Sequence, residues 1–329
     1  MLRYIARRLI GMAVVLLITG AVTYVIFYWM PSDPARLSCG KPCTPETLHQ
    51  VRAYMGLNQP IWEQYWHFLE GLVGGRSFGI GQAAAQCPAP CLGYSFHQSM
   101  PVRTMIGTAF PVTVSITVGA AALWLVFGVA TGMISAVKRG TWWDRGATLL
   151  SLTGVATPTY LVGLLGILLL GFQWRLVPVN GYANFTDGIG PWASHLILPW
   201  AVLAFVNAAV YARLTRSQLL EVFGEDYITT ARAKGLPERI VIGKHSLRAA
   251  LTPIATMFGM DIGLLLGGAI ITEKVFSMQG LGYLLLQGVG QLDLPVVVGV
   301  TLFSAFFVVA ANLLVDILYG YLDPRVSLA

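Results

Sequence analysis

Few residues in this 329-residue chain are of a type and spacing that could do chemistry. Gly243-Lys244-His245 comes nearest to a phosphate-binding loop, which needs a glycine five residues before the Gly-Lys pair, a Ser or Thr after the lysine and a strand in front. Glu238 stands where that glycine belongs, His245 follows the lysine and no strand pattern precedes them, so nucleotide phosphates have no cradle. The five histidines are scattered, and neither a Gly-x-Ser-x-Gly elbow nor a paired acidic motif occurs, which argues against an enzyme. The expectation is no catalytic residue, no metal ligand set and no cofactor on this chain.

Two other residue sets are chemically distinctive. Cys39, Cys43, Cys87 and Cys91 all fall in one hydrophilic, Pro/Gly-rich region between the first two apolar blocks. Such segregation suits an oxidising compartment and two disulfides, with three connectivities open. A metal site is the rival, disfavoured because Cys-x-x-Cys spacing and a nearby His are missing. Asp261 is the second. It lies eight residues after Pro253, about 12 Å into an apolar block and so near a bilayer midplane. A carboxylate there costs on the order of 3 kcal/mol to insert and should face a cavity or a partner. Gly259, Gly263 and Gly267 form a small-residue ridge suited to close packing, and two residues of turn aim Asp261 away from it. Two roles stay open for Asp261: attracting a substrate's amino group along a pathway shared with Asn207, or accepting a hydrogen bond from Asn or Thr on a neighbouring helix.

The elements that position these residues follow from composition. The chain is 56% hydrophobic and 11% charged, as a polytopic membrane protein is. Its formal charge of +6 is spread along the junctions of apolar blocks, without a basic face interleaved with aromatics, so nucleic acid is not an expected partner. Six spans are expected, near residues 9–30, 104–137, 147–172, 194–213, 251–272 and 294–319. The first is too long for a signal peptide and ends in Tyr24, Tyr28 and Trp29, an interfacial belt. Pro158 should kink the third. Under six spans, Arg3, Arg7, Arg8, Lys138, Arg139, Arg145, the 213–248 cluster and Arg325 share one side, which places both termini in the cytoplasm and the cysteines outside.

Between the first two spans, Thr44-Pro45-Glu46 reads as a helix start that Gly56 would close, and a second helix should begin near Pro60. Its Ile61, Tyr65, Phe68, Leu69 and Leu72 make an apolar stripe for the membrane surface or, more simply, for the bundle. The stretch 79–93, with Cys87 and Cys91, reads as an insertion, either a contact for a binding protein or a stiffening element.

The longest soluble stretch on the cationic side, 217–250, is amphipathic. Residues 217–234 read as one helix through Leu220, Phe223, Ile228 and Ala231; Gly235 ends it and Pro237 opens the next. Here Asp226-Tyr227-Ile228-Thr229-Thr230-Ala231-Arg232-Ala233-Lys234-Gly235-Leu236 and the later His245-Ser246-Leu247-Arg248 resemble the coupling loop of binding-protein-dependent ABC transporter permeases, nearest to the dipeptide/oligopeptide branch. Thr229-Thr230-Ala231 replaces that family's usual Glu-Ala-Ala. Arg139 to Arg145, Pro178 to Tyr182, His195 to Pro199, Glu273 to Gly282 and Leu322 to Arg325 are similar in order and spacing.

The resemblance implies an all-α type I importer permease: 1–30 for the N-terminus and first span, 31–100 outside, 101–320 for the core with its coupling loop, and 321–329 as a cytoplasmic tail. It implies a bacterial inner-membrane complex with a second homologous permease, two ATPase subunits that bind ATP and Mg, an extracytoplasmic solute-binding protein and a peptide substrate. Phe223, Asp226, Tyr227, Thr230, Ala231, Lys234, Gly235, Leu236 and His245 become the expected ATPase-coupling residues. The rivals are a permease for nickel or another small solute, an ion-coupled transporter using Asp261, and a nontransporting scaffold.

Overall fold

The computed structural model describes residues 2–28, 33, 35–36, 43–78, 85–179 and 181–322. Cys39, Asn180, part of the 79–93 insertion, Arg325 and the rest of the 323–329 tail lie outside the described residues. The chain divides into two units, one built from 1–113, 266–270 and 279–309, the other from 114–265, 271–278 and 310–329.

In the first unit, α1 (Leu2–Tyr28) is followed by α2 (Pro45–Met55) and α3 (Ile61–Gly74). Thr44 caps α2 with its side chain, Pro45 takes the first position, and Gly56 closes the helix at φ +71°. The reciprocal cap partner is Thr47, which needed no acidic residue. The apolar stripe of α3 packs on α1: Tyr65 Oη donates to the Leu17 carbonyl at 2.8 Å, and the Tyr24 ring lies 5.8 Å from Tyr65 and 6.0 Å from Phe68.

Short strands join the helices in the region between the first two apolar blocks. Two antiparallel two-stranded sheets form, β1 (Arg76–Phe78) with β2 (Ala85–Cys87), and β3 (Tyr94–Ser95) with β4 (Met100–Pro101). Strands of two or three residues are too short to show a period of two, so nothing in the sequence announces them. The core of this unit joins Val102, Met105, Ile106 and Ala109 to Leu281, Leu284, Val296 and Val300.

Among the described residues, five helices are long and apolar enough to cross a membrane: Arg7–Ile26, Val102–Val137 (α4), Ile189–Val222, Glu238–Leu266 and Leu294–Val315. The expected third span is instead a broken pair, α5 (Trp142–Ala156) and a helix starting at Thr159 and continuing to Gln173, bent by 99°. It completes six crossings when counted as one span. Pro158 does more than kink it. As the residue in front of Thr159 it takes φ −61°, ψ 133°, while Thr157 is extended, so the helix stops and restarts in a new direction.

The expected fifth span ends early, at Leu266, where Gly267 and Gly268 interrupt it before a separate short helix, Ile270–Val275. In the second unit, α5 packs along the 189–222 helix so closely that a Cβ on Gly154 would stand 2.6 Å from the Ala209 Cβ. Trp192 donates to Ser115 Oγ and Tyr182 Oη, at 3.3 and 3.2 Å, and Trp200 donates to the Ser115 carbonyl at 2.8 Å.

Candidate functional site: an exposed turn between two spans

The cationic stretch is not one helix. The 189–222 helix ends at Val222, Phe223 and Gly224 turn the chain, and Glu225 in extended conformation leads into a separate helix, Asp226–Ala233. Gly224, a poor helix former, stands at the break, and Glu225 makes no side-chain capping bond. Ile228 and Ala231, three apart on that short helix, bury themselves with Val241 and the partly buried Val222. Gly235 sits at φ +77° with open space where a Cβ would be, so its role is conformational. After Pro237 the chain turns helical at Glu238, passes through a π-helical turn at Val241–Ser246 and enters the Leu247–Leu266 helix.

This scaffold leaves Asp226, Tyr227, Thr230, Lys234, Gly235 and Leu236 exposed, with Tyr227 47% accessible. Phe223 and His245 are half-buried. Ala231 departs from the expected contact set, because at 8% exposure it belongs to the apolar underside that holds the short helix. Phe223 packs on the Ala136, Leu219 and Ala250 cluster, its ring lies 5.7 Å beneath the Arg232 guanidinium, and Arg232 pairs with Glu238 at 2.8 Å. The exposed face is thus presented by a turn whose root is packed into two long helices.

Beneath it lies a polar buckle that no local motif revealed. Arg216 donates from Nε to Asp144 Oδ1 at 2.8 Å and from a terminal nitrogen to Oδ2 at 3.1 Å. Ser135 Oγ and the Gly140 amide complete the carboxylate's shell at 2.5 and 2.9 Å. Bidentate, charge-assisted bonds of this kind fix geometry as well as adding stability. Both residues lie in stretches singled out in the sequence, but 72 residues separate them.

Within the spans, Asp261 accepts a 2.6 Å hydrogen bond from Tyr211 Oη, neither an Asn nor a Thr. Trp124 is beside this pair, its ring 6.3 Å from Tyr211 and 6.1 Å from Phe258. Asn207, one turn before Tyr211, donates to its own helix at the Leu203 carbonyl. Gly259 faces the last span: a Cβ there would stand 2.0 Å from Val315 Cγ2. Gly263 is buried on the same helix. Gly267 lies past the helix end and is no part of a continuous ridge; its carbonyl accepts from Ser304 Oγ at 2.6 Å.

Between the first two spans, Cys87 and Cys91 form a disulfide, each 2% exposed and packed with Phe78. Cys43 is also disulfide-bonded. Arg103, at the start of the second span, donates to the Ala89 carbonyl at 2.6 Å and so ties the disulfide loop to that helix. A buried carboxylate missed in the sequence, Asp293, takes a 2.5 Å bond from Ser95 Oγ. Burial pushes its carboxyl above the usual range, against the opposing pull of Ser95, His97 and the Val296 amide.

With this geometry in place, comparison with known proteins identifies the class. Residues 128–328 match the family described as binding-protein-dependent transport system inner membrane component, and residues 1–117 match the N-terminal region of such membrane components. The chain belongs to this family and is a multi-pass inner-membrane permease subunit of an ABC importer. A Brucella abortus protein described as a peptide transport system permease protein is 38% identical over 312 residues, 95% of each chain. The glutathione transport system permease protein GsiC of Escherichia coli K12 is 36% identical over 327 residues, 99% of each. Among solved structures, the MetNI methionine ABC transporter in an inward-facing conformation is 16% identical, with TM-score 0.53 over 67% of this chain and 97% of that one, a likeness of fold.

Proposed function

We propose that this subunit imports di- or oligopeptides and that its 217–250 loop is the grip through which separate ATPases drive it. The observation that carries the reading is the exposed Asp226–Leu236 turn, rooted by Ile228, Ala231 and Phe223 in the ends of two long membrane helices. A rigid root converts a push on the turn into rotation of those helices, the hinge-and-shear logic of alternating access. The peptide substrate is supported by relatives described as peptide and glutathione permeases across nearly their whole length.

The subunit pairs with a second, homologous permease, binds two ATPases on the cytoplasmic side and receives solute from an extracytoplasmic binding protein. It does not hydrolyse ATP itself; ATP and Mg sit on the ATPases. Both termini face the cytoplasm and the disulfide region faces outward, in keeping with the cation distribution.

Reconstitution tests this directly. Liposomes with both permeases, the ATPases and the binding protein should accumulate labelled peptide only with ATP, and omission of the ATPases should abolish uptake. Uptake by the permeases alone down an ion gradient would overturn the reading. So would labelling of Lys234→Cys by an impermeant thiol reagent from outside the cell.

A further inference from the structure

Lys138, Arg139 and Arg145 lie in and just after the turn that joins α4 to α5, and all three are exposed. Trp142 and Trp143, the first two residues of α5, are 84% and 65% exposed. The Lys138 ammonium stands over the Trp143 ring, 4.9 Å from its centroid. Among the described residues none of the three cations pairs with a carboxylate. Asp144 is the only acidic residue between Glu70 and Asp187, and Arg216, Ser135 and the Gly140 amide already occupy it. The turn thus carries three positive charges that the fold does not neutralise.

Its place along the spans shows what surrounds it. Exposed Ile134 and Val137 run up to Lys138 on α4, and exposed Leu149, Leu150 and Leu152 continue beyond Trp143 on α5. Apolar side chains left open on membrane spans face hydrocarbon, so the cations and indoles stand where hydrocarbon gives way to headgroups. Only four residues, Lys138 to Thr141, separate the two helices, which keeps the turn close to that boundary. Tryptophan suits this depth because its body is apolar and its N–H polar. Lysine and arginine at the same level attract phosphate, and arginine does so with a two-pronged fork. A soluble protein partner would answer the charges but not the leucines that adjoin them.

We propose that this turn is a binding site for anionic phospholipid, in which Lys138, Arg139 and Arg145 hold headgroup phosphates while Trp142 and Trp143 rest against the upper acyl chains. The Asp144–Arg216 link roots the site in the 189–222 helix and leaves its own carboxylate unable to repel the lipid.

Tryptophan quenching tests it, with the complete importer in nanodiscs of an equimolar phosphatidylglycerol and phosphatidylcholine mixture. Bromine is carried on the acyl chains of one lipid or of the other, the composition being otherwise the same. The quenching lost in a Trp142→Phe, Trp143→Phe variant is the part that belongs to this turn. Brominated phosphatidylglycerol should dominate that part, with an enrichment of about fivefold for each cation engaged. Lys138→Gln, Arg139→Gln and Arg145→Gln together should bring the ratio of the two lipids to about one. Where the triple variant does not assemble, salt serves instead: screening within about 3 Å at 1 M should collapse the wild-type ratio. A wild-type ratio near one, or a ratio that neither the variant nor salt moves, overturns the site. A wild-type ratio near one with ATPases lost from the triple variant would assign the cations to the ATPases. None of these outcomes depends on which solute is carried.

Discussion

Arg216 clasps Asp144 with two parallel hydrogen bonds, joining the last turns of the 189–222 helix to the first turn of α5. The aspartate side chain is 9% exposed and the arginine 32%, so solvent screens the pair only on one side. Removing the carboxylate strands a cation and two further donors, Ser135 and Gly140. Asp144→Ala should therefore cost near the lower end of the roughly 3–5 kcal/mol seen when a buried pair loses one partner. Arg216→Lys keeps the charge but loses the planar fork, and should fall between. Thermal unfolding of the purified assembly checks this, and an Asp144→Ala midpoint equal to wild type would refute the buckle.

Gly235 makes a different kind of prediction. Because nothing crowds its missing side chain, substitution should cost only backbone strain, about 1–2 kcal/mol for an L-residue forced left-handed. Asparagine tolerates that region better than alanine, and valine least of all. ATP-driven uptake should rank Gly, Asn, Ala, Val from highest to lowest. Equal uptake by the alanine and asparagine variants would contradict a conformational role.

Features of this chain that depend on a few neighbouring residues were legible in the sequence. The Thr44-Pro45 start, the Gly56 stop, Gly235 and a bend at Pro158, though not the full break found there, are all local steric or capping statements. What escaped is of two kinds. The turn at Phe223-Gly224-Glu225 was hidden because apolar residues on both sides satisfy a helical period, and the strands were too short to have one. Arg216–Asp144 and Tyr211–Asp261, 72 and 50 residues apart, are products of tertiary packing, and no spacing rule reaches that far.

Asp293 should make stability depend on pH in the direction opposite to most carboxylates. Burial raises its carboxyl in the folded protein, so the unfolded chain releases the proton first. The protonated form then fits the fold better. Its contribution is most favourable below the unfolded value of about 3.9 and is lost as pH rises through the folded value. Asp293→Asn keeps an acceptor for Ser95 and should flatten this part of the profile while holding or raising the midpoint at neutral pH. Unfolding midpoints of the two proteins between acid and neutral pH provide the measurement. A variant whose deficit grows towards neutral pH would show that the carboxylate is stabilising instead.

Gly259 tests helix packing inside the spans. A methyl group there would overlap Val315 Cγ2, which is itself buried. Gly259→Ala alone should lower the unfolding midpoint, in the range of about 1–3 kcal/mol typical of overpacking. Adding Val315→Ala vacates the space and should recover most of that loss. Independent, additive effects of the two changes would mean that the helices do not meet there.

The last prediction concerns what Asp261 is for. Its Oδ2 already accepts a hydrogen bond from the Tyr211 hydroxyl at 2.6 Å. Tyr211→Phe leaves the carboxylate short of that donor and should destabilise by about 1.5–3 kcal/mol. Asp261→Asn retains an oxygen for the hydroxyl and removes the charge, so it should be the milder change. The same variant separates scaffolding from substrate recognition. If the carboxylate only secures Tyr211, the ratio of uptake of a free-amino peptide to its N-acetylated form stays at the wild-type value in Asp261→Asn. A selective fall in uptake of the free-amino peptide would place the substrate's ammonium at this residue.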